Sequence, residues 1–441
     1  MDEAQVLFEQ ALAEQAEGRW DAAKDLYQAL LAARPELNAV RNNLSVCLTE
    51  LGRGAEALAL LEPLAHLHSV PEIQTSLGNA LRSRGRFAEA REAYERVVAL
   101  SPDPRAVSNL ALACQDLGDM ERAVAGFERA VALAPNDPSL RANLGGALLM
   151  AGDFERGFPA HEFRLAGSAT EKALKETGLP LWDGRPLDGK RLLIWTEQGL
   201  GDSLQFLRFI PLLKEPVLVM AQAALLRLLQ GIGNVSAVYG WNDAPPKADV
   251  QIPLLSLPRL LGCKSEADIP ASTLRADPLL EKLWGERLGN HSGLRVGLSW
   301  QGNAAMKADM ARSAHLSSFQ PLFDLQGISW ISLQTGAAGD QIGQFKAPLL
   351  DLRGEIGDLA DTAAIMANLD LVIAVDSAVA HLAGCLKRQV WVMVRANPDW
   401  RWKPGAVSSP WYPSARLWRQ ERLGDWAPII SAMKLALPTF A

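Results

Sequence analysis

The sequence contains few cysteines, and it has no long apolar run. Its four cysteines, Cys47, Cys114, Cys263 and Cys385, form no C-x-x-C pair and have no histidine at metal-ligand spacing. We therefore expect buried thiols in a reducing cytoplasm, with neither a metal centre nor a disulfide framework. No apolar stretch approaches the roughly 20 residues that span a bilayer. The acidic start MDEAQVLFEQ also differs from a signal peptide, so we expect a cytoplasmic protein rather than an integral membrane protein.

Positive charge is scarce in the first part of the chain. Residues 1–165 contain 16 Lys and Arg against 24 Asp and Glu, whereas residues 166–441 contain 28 against 26. An acidic surface repels both nucleic acid and anionic lipid. We therefore expect neither of them as a partner of the first part.

Glycines recur in this first part at a nearly constant spacing. Five glycines lie 33 or 34 residues apart, and a small residue follows each of them by five positions. The pairs are Gly18 and Ala23, Gly52 and Ala57, Gly85 and Ala90, Gly118 and Ala123, and Gly152 and Gly157. This period indicates stacked helix pairs, in which the glycine separates two helices and the small residue lets them approach.

The pattern resembles the tetratricopeptide repeat over about five units, residues 1–165. The resemblance implies an α-helical superhelix whose concave surface binds a peptide or another protein. Oligomerisation through the same surface is the alternative. The second unit is the least regular, because Pro63 falls inside its second helix.

The second part of the chain alternates short β-rich runs with helical segments. RLLIW, PVLVMA and VSAVYG form a first series, and RVGLSW, ISWISLQ, LDLVIAV and QVWVMV form a second. This alternation predicts parallel strands with crossover helices. We expect a linker over 166–189, one Rossmann-like domain over 190–290 and another over 291–441, whose final helix crosses back to the first. Ligands of such tandem domains bind in the cleft between the carboxyl ends of both sheets.

The first candidate site residues follow RLLIW, in the stretch TEQGLGDSLQFLRF. Gly199 and Gly201 allow a tight turn and a close backbone approach to a ligand. Leu204 stands where a dinucleotide fingerprint has its third glycine, so we do not expect a nicotinamide cofactor. Asp202 either caps the following helix or faces a ligand.

A second cluster follows LDLVIAV, where Asp376 and Ser377 precede a short helix that carries His381. The first amides of a helix are a natural site for an anionic group. The alternative is a capping aspartate and a core histidine.

A third cluster lies in SWQGNAAMKADMARSAHLSSF, after the strand RVGLSW. Trp300 and Asn303 come at the strand end, and Lys307, Arg312 and Ser313 follow. Cations in a loop beside the cleft suit a diphosphate, which arginine can bind through two hydrogen bonds. An exposed loop with ordinary surface charge is the alternative.

Together these stretches resemble the glycosyltransferases with the two-domain GT-B fold. They are most similar to the family of the bacterial heptosyltransferases, in a branch where the catalytic part follows tetratricopeptide repeats. The matching pieces are EQGLGDSLQFLRF, WQGN with the later RS, DLADTAAIMANLDLVIAVDSAVAHLAG, and DWRW with SPWYP, within residues 190–420. The chain is also similar, more distantly, to the protein O-linked N-acetylglucosamine transferases.

The resemblance implies a role for each matching residue. Asp202 takes the place of the base that deprotonates the acceptor. Asp376, Ser377 and His381 match an Asp-Thr-Gly-x-x-His motif that binds the diphosphate and ribose, although Ser377 replaces threonine and Ala378 replaces glycine. A basic residue of the third cluster contacts phosphate, and both Lys307 and Arg312 fit. Further donor contacts are assigned by the same resemblance to Trp300, Asn303, Ser313 and Gly384.

The implied function is an inverting, metal-independent glycosyl transfer from a nucleotide sugar, which is a substrate and not a cofactor. We expect the acceptor to be a protein hydroxyl, as in flagellin, recruited by the repeats. The alternatives are a surface saccharide or lipid-linked acceptor, and a scaffold whose transferase part is degenerate. The tail from Asn397 to Gln420 contains four tryptophans, and we expect its aromatic side chains to pack the tail onto the core rather than to stack on a sugar.

Overall fold

A computed structural model describes residues 3–67, 69–289, 293–303 and 309–440. The chain divides into two compact units, Met1–Ala147 and Leu148–Ala441. The first is entirely helical over its described residues, and the second contains both sheets.

The described residues of the repeats form ten α-helices. They are α1 (Glu3–Ala16), α2 (Trp20–Ala33), α3 (Asn38–Glu50), α4 (Gly54–Leu61), α5 (Pro71–Ser83), α6 (Phe87–Leu100), α7 (Pro104–Asp116), α8 (Met120–Leu133), α9 (Pro138–Ala151) and α10 (Phe154–His161). The five periodic glycines separate the members of each pair and all have positive φ, between 72° and 88°. That conformation favours glycine because it has no Cβ. The unit boundary falls within α9, so α10 belongs to the second unit.

Small residues sit where the helices of a pair cross. Ala23, Ala57, Ala90 and Ala123 are completely buried, as the sequence pattern predicts. At Gly157 in α10 a Cβ would lie 2.9 Å from the Leu149 side chain, which explains glycine at that crossing. The irregularity of the second repeat also has its predicted cause, because α4 ends at Leu61 and a 3-10 turn containing Pro63 follows.

The first sheet of the second unit has four parallel strands in the order β3-β2-β1-β4. These are β1 (Leu192–Trp195), β2 (Val217–Ala221), β3 (Val235–Gly240) and β4 (Val250–Pro253). The helices with them are α11 (Ala169–Thr177), α12 (Leu200–Phe206), α13 (Leu226–Leu229), α14 (Leu257–Leu260) and α15 (Pro278–Leu288). Every residue of β1 is buried, as expected for a central parallel strand.

The second sheet has six parallel strands in the order β10-β9-β8-β5-β6-β7. These are β5 (Leu294–Ser299), β6 (Ile328–Ser332), β7 (Leu349–Leu350), β8 (Leu371–Val375), β9 (Val390–Val394) and β10 (Ala415–Arg419). Its helices are α16 (Asp309–Arg312), α17 (Gln320–Phe323), α18 (Gln341–Phe345), α19 (Leu359–Ala367), α20 (Ala378–Cys385) and α21 (Ala427–Ala436). The predicted α/β character of the second part is therefore observed, with parallel strands in both sheets.

Two details differ from the sequence expectations. The segment 166–189 is not an irregular linker, because it contains α11 and because the Trp182 amide donates to the Gln251 carbonyl of β4. The final helix α21 does not cross back to the first sheet. Its apolar side chains Ile430 and Met433 are buried in the hydrophobic core of the six-stranded sheet.

All four cysteines are free and buried, as predicted. No helix among the described residues is both long and apolar enough to cross a bilayer. The same residues contain no group of three or more His, Cys, Asp or Glu side chains arranged to hold a metal ion.

A buried ion pair joins the turn after α10 to the loop that follows β1. Arg164 and Glu197 have side chains that are 5% and 1% exposed. The guanidinium donates five hydrogen bonds, two to the Glu197 carboxylate at 2.6 and 3.1 Å and the others to the His161 carbonyl, Glu162 and Ser256. Since a guanidinium has five N–H groups, all of them are used. The Glu197 carboxylate also accepts from the Leu255 amide.

Replacing Arg164 with methionine should strongly destabilise the second unit, because Glu197 would remain buried without its cation. We expect a loss of about 3–5 kcal/mol in the free energy of unfolding. Urea unfolding followed by tryptophan fluorescence measures this, since only Trp20 of the 13 tryptophans lies in the first unit. Arg185→Met is the matched control, because the Arg185 side chain is 86% exposed, and it should change stability by less than about 0.5 kcal/mol. Equal stabilities of the two variants would contradict the assigned role of the pair.

Candidate active site

The loop after β1 delivers Asp202 to the carboxyl edge of the first sheet. Gly199 is the N-cap residue of α12, and Asp202 is the third residue of that helix. The Asp202 Oδ2 atom accepts a hydrogen bond from the Gly199 amide at 2.9 Å. The capping role that the sequence allows for Asp202 is therefore present, and it occupies only one carboxylate oxygen.

The two glycines of this loop have reasons other than an unusual backbone. Gly199 has φ −84°, and the positive φ of the loop, 56°, belongs to Gln198. At Gly201 a Cβ would lie only 2.6 Å from the Cδ2 atom of His381. Gly201 therefore allows α12 to pack closely against α20, which is a contact between the two sheet domains of the second unit.

The loop after β8 presents Asp376 and Ser377 at the start of α20. Ser377 is the N-cap residue of this eight-residue helix. Its hydroxyl oxygen is buried and has no hydrogen-bond partner within the described part of the chain. Asp376 is buried as well, and this burial raises the pKa of its carboxyl group, while Arg312 and Arg395 act in the opposite direction. The positive charge of both arginines therefore reaches the end of β8.

His381 lies one turn into α20 and is held as a neutral imidazole. Its Nδ1 atom is 2.8 Å from the Tyr412 hydroxyl, and its Nε2 atom is 3.8 Å from Asp376 Oδ1. Burial lowers the pKa of His381 to about 3, and the charge of Arg401 adds to this effect. At neutral pH the ring therefore carries no charge. It offers one hydrogen-bond donor and one acceptor.

The tail of the second domain brings a cation to Asp202. The Arg401 side chain is 7% exposed and forms ion pairs with Asp202 Oδ1 and, at 2.6 Å, with Asp399 Oδ1. Although burial opposes its charged form, the two carboxylates raise the pKa of Arg401 above its ordinary value. The same ion pair, against the effect of burial, lowers the pKa of Asp399. These three side chains therefore form a charged triad that joins the two domains.

The aromatic tail packs as predicted. Trp400, Trp402 and Trp411 are at most 7% exposed. Trp402 and Tyr412 both have their rings against that of His381, with centroids 5.3 and 5.6 Å apart. The tail is therefore part of the core, and it also supplies residues to the site.

Three residues assigned to the donor site have contacts within the protein that explain them. Trp300 is completely buried in the core of the six-stranded sheet, so its ring does not face the cleft. The Ser313 hydroxyl accepts from the Gly302 amide at 3.0 Å and thereby fixes the loop after β5. At Gly384 a Cβ would lie 2.4 Å from the Tyr412 ring, so this glycine serves the packing of α20 against the tail.

The remaining assignments have different outcomes. Asn303 is exposed at the end of the described part of the loop after β5. Lys307 lies outside the described residues. Arg312, at the end of α16, is close enough to lower the pKa of Asp376. The structure thus brings Asp202, Asp376, Ser377 and His381 to one place. Arg312 is close enough for its charge to act on Asp376.

Sequence reasoning missed the charged residues of the tail. Arg395, Asp399, Arg401 and Tyr412 all contribute to the site, although no role was predicted for any of them. The available signal was the pair of stretches DWRW and SPWYP, which contain Asp399, Arg401 and Tyr412.

Comparisons with known proteins identify the first part of the chain. Family models described as tetratricopeptide repeat match residues 14–80, 75–138 and 115–161. Protein FlbA of Caulobacter vibrioides is 29% identical over 331 residues, which are 67% of this chain and 54% of that protein. The chain therefore spans about half the length of this curated relative.

Solved structures match a smaller share of the chain. The tetratricopeptide-repeat protein TTC0263 of Thermus thermophilus covers 40% of this chain and 96% of its own, with 20% identity and a TM-score of 0.36. MamA of Desulfovibrio magneticus covers 39% and 97%, with 19% identity and a TM-score of 0.32. By the family models, the helical pairs of residues 14–161 are tetratricopeptide repeats.

Proposed function

We propose that the second unit is an inverting, metal-independent glycosyltransferase of GT-B type and that the repeats recruit a protein acceptor. One observation carries the proposal. Asp202, at the carboxyl edge of the first sheet, and Asp376, Ser377 and His381, at that of the second, meet where α12 packs against α20. Tandem α/β domains bind their ligands at such edges.

The start of α20 suits the diphosphate of a nucleotide sugar. Amides at a helix N-terminus attract anions, and the buried Ser377 hydroxyl without a protein partner offers a further hydrogen bond. Arg312 and Arg395 contribute positive charge there. Burial raises the pKa of Asp376 and so favours its neutral form more than in an exposed carboxyl group. Together these groups stabilise the negative charge that develops on a departing diphosphate.

Asp202 is the acceptor-activating group of this proposal. Its carboxylate takes the proton from the acceptor hydroxyl as that oxygen bonds to the anomeric carbon. The bond between the anomeric carbon and the phosphate oxygen breaks, and the nucleoside diphosphate leaves with the electron pair. A single displacement of this kind inverts the anomeric centre.

Nucleoside diphosphates should stabilise the full chain if this assignment is correct. At about 100 times its dissociation constant, a ligand stabilises a protein by about 2.7 kcal/mol, which for a unit of this size raises Tm by roughly 5 °C. The measurement is a thermal shift with UDP, GDP, ADP, CDP and dTDP and with their sugars. Ser377→Ala should weaken the response, whereas Ser408→Ala, at an exposed serine, should not. No shift with any of these ligands would contradict the proposal and favour a scaffold without transferase activity.

Asp202→Asn should abolish most turnover and leave donor binding intact. Asparagine keeps the volume and can still accept from the Gly199 amide, but it cannot take a proton as a carboxylate does. We expect release of nucleoside diphosphate from the stabilising nucleotide sugar, with water as acceptor, to fall about 10²–10⁴-fold. Asp183→Asn is the control, because this side chain is 57% exposed. Unchanged release by the Asp202 variant would show that the base is another residue.

The chemical class of the acceptor distinguishes the proposal from the alternative in which the enzyme acts on a saccharide or a lipid-linked sugar. Helical repeats present extended surfaces that bind other proteins, which favours a protein acceptor over a saccharide or a lipid-linked sugar. The full chain, a lysate and the radiolabelled form of the stabilising nucleotide sugar should therefore yield label in protease-sensitive material. Label only in the lipid or polysaccharide fraction would move the assignment to the alternative acceptor.

A further inference from the structure

Arg401 is a buried cation shared by two carboxylates from different elements. Asp202 belongs to α12 of the first sheet domain, whereas Asp399 directly precedes the 3-10 turn Trp400–Trp402 of the second. Arg401 binds both of them through separate nitrogens, Nη2 to Asp202 and Nη1 to Asp399. The Arg401 side chain is 7% exposed, and burying a charge is costly unless it is paired. One carboxylate would pair it, so the presence of two requires a reason beyond packing.

The guanidinium has little freedom to move. Its Nε atom donates to the Gln205 side chain, and its carbon atom Cζ lies 4.4 Å from the centre of the Trp400 ring. The Asp399 carboxylate accepts from the Arg401 backbone amide at 3.1 Å as well as from its side chain. These contacts therefore fix the orientation of Arg401 independently of Asp202.

Both oxygens of Asp202 are held in turn. Oδ1 binds Arg401, and Oδ2 accepts from the Gly199 amide at 2.9 Å. Each carboxylate oxygen has about two acceptor positions, so both can still accept one further hydrogen bond. The Asp202 side chain is 21% exposed, which leaves part of it accessible to an acceptor.

We propose that Arg401 is a positioning residue that orients the carboxylate of Asp202 towards the acceptor hydroxyl, and that Asp399 holds Arg401 in place. This inference rests on the proposed function. When the acceptor proton moves to Asp202, that group becomes neutral and its attraction to Arg401 falls. Asp399 then remains as the ionised partner of Arg401, so no buried cation is left unpaired during the transfer. This explains why two carboxylates surround one guanidinium.

The test is a double-mutant cycle on the full chain with Arg401→Met and Asp202→Asn. Nucleoside diphosphate release, from the nucleotide sugar that stabilises the chain, should fall about 10- to 100-fold in Arg401→Met, because a misplaced catalytic group costs about this much. The stabilisation by that nucleotide sugar should not change. In the Asp202→Asn background, Arg401→Met should have almost no further effect, since the group that it orients is already inactive. Two independent losses that multiply would show a role unrelated to Asp202 and would overturn the inference.

Two further variants distinguish a loss of catalysis from a loss of folded structure. Arg416→Met is the matched control, because Arg416 also stacks on a tryptophan, with Cζ 4.0 Å from the centre of the Trp418 ring, but lies on an exposed part of β10. It should release nucleotide at the wild-type rate. Arg401→Lys keeps the charge but cannot bind two carboxylates and Gln205 through a rigid fork. If Arg401→Met does not fold, Arg401→Lys with a wild-type melting temperature should still lose turnover, and wild-type turnover in it would overturn the inference.

The same experiments separate this inference from the proposed function. Full activity of Asp202→Asn would contradict the base assignment itself. An inactive Asp202→Asn together with fully active Arg401→Met and Arg401→Lys would contradict only the role of Arg401.

Discussion

The candidate site depends on the close contact between α12 and α20. Each helix starts at the carboxyl edge of a different sheet, and a side chain larger than hydrogen at position 201 would collide with His381. The same holds at Gly384 of α20, where a Cβ would collide with the Tyr412 ring. The absence of a Cβ atom at these two glycines thus lets α12, α20 and the tail pack closely together. Without that approach Asp202 and Asp376 would belong to separate surfaces.

Buried charge is the second constraint on this region. Arg164, Arg208 and Arg401 are each at least nine-tenths buried on their side chains or as whole residues. Such groups are expensive to remove from water, and replacing an ion pair by apolar side chains often costs nothing. Their presence around the loop after β1, α12 and the tail is therefore better explained by orientation than by stability. Arg164 fixes the loop after β1 through its ion pair with Glu197. Arg208 donates to the Trp411 carbonyl of the tail, and Arg401 binds Asp202 in α12.

Local patterns in the sequence predicted much of the fold. The glycine period defined the repeats because each helix pair packs mainly on its neighbours, so the requirement recurs along the chain. Apolar runs predicted strands because central parallel strands are buried on both faces. The linker was misjudged because α11 is short and amphipathic, and α21 was misplaced because its apolar face does not reveal which sheet it covers.

The site was predicted only where its residues follow strand ends. Asp202, Asp376, Ser377 and His381 have such positions, so the topology of parallel sheets brings them together. Arg401 was missed because it contacts Asp202 across 199 residues, and no periodicity records such a contact. Trp300 and Gly384 were assigned to a ligand although packing explains them. A sequence pattern identifies a special position, but it does not show whether protein or ligand fills the space.

A crystal structure of the full chain with its stabilising nucleotide sugar tests the central claim most directly. We predict that the diphosphate binds at the first turn of α20, with an oxygen within about 3.2 Å of Ser377 Oγ. The sugar should lie between this turn and the Asp202 carboxylate. A nucleotide sugar bound elsewhere, or one separated from Asp202 by protein, would contradict the account.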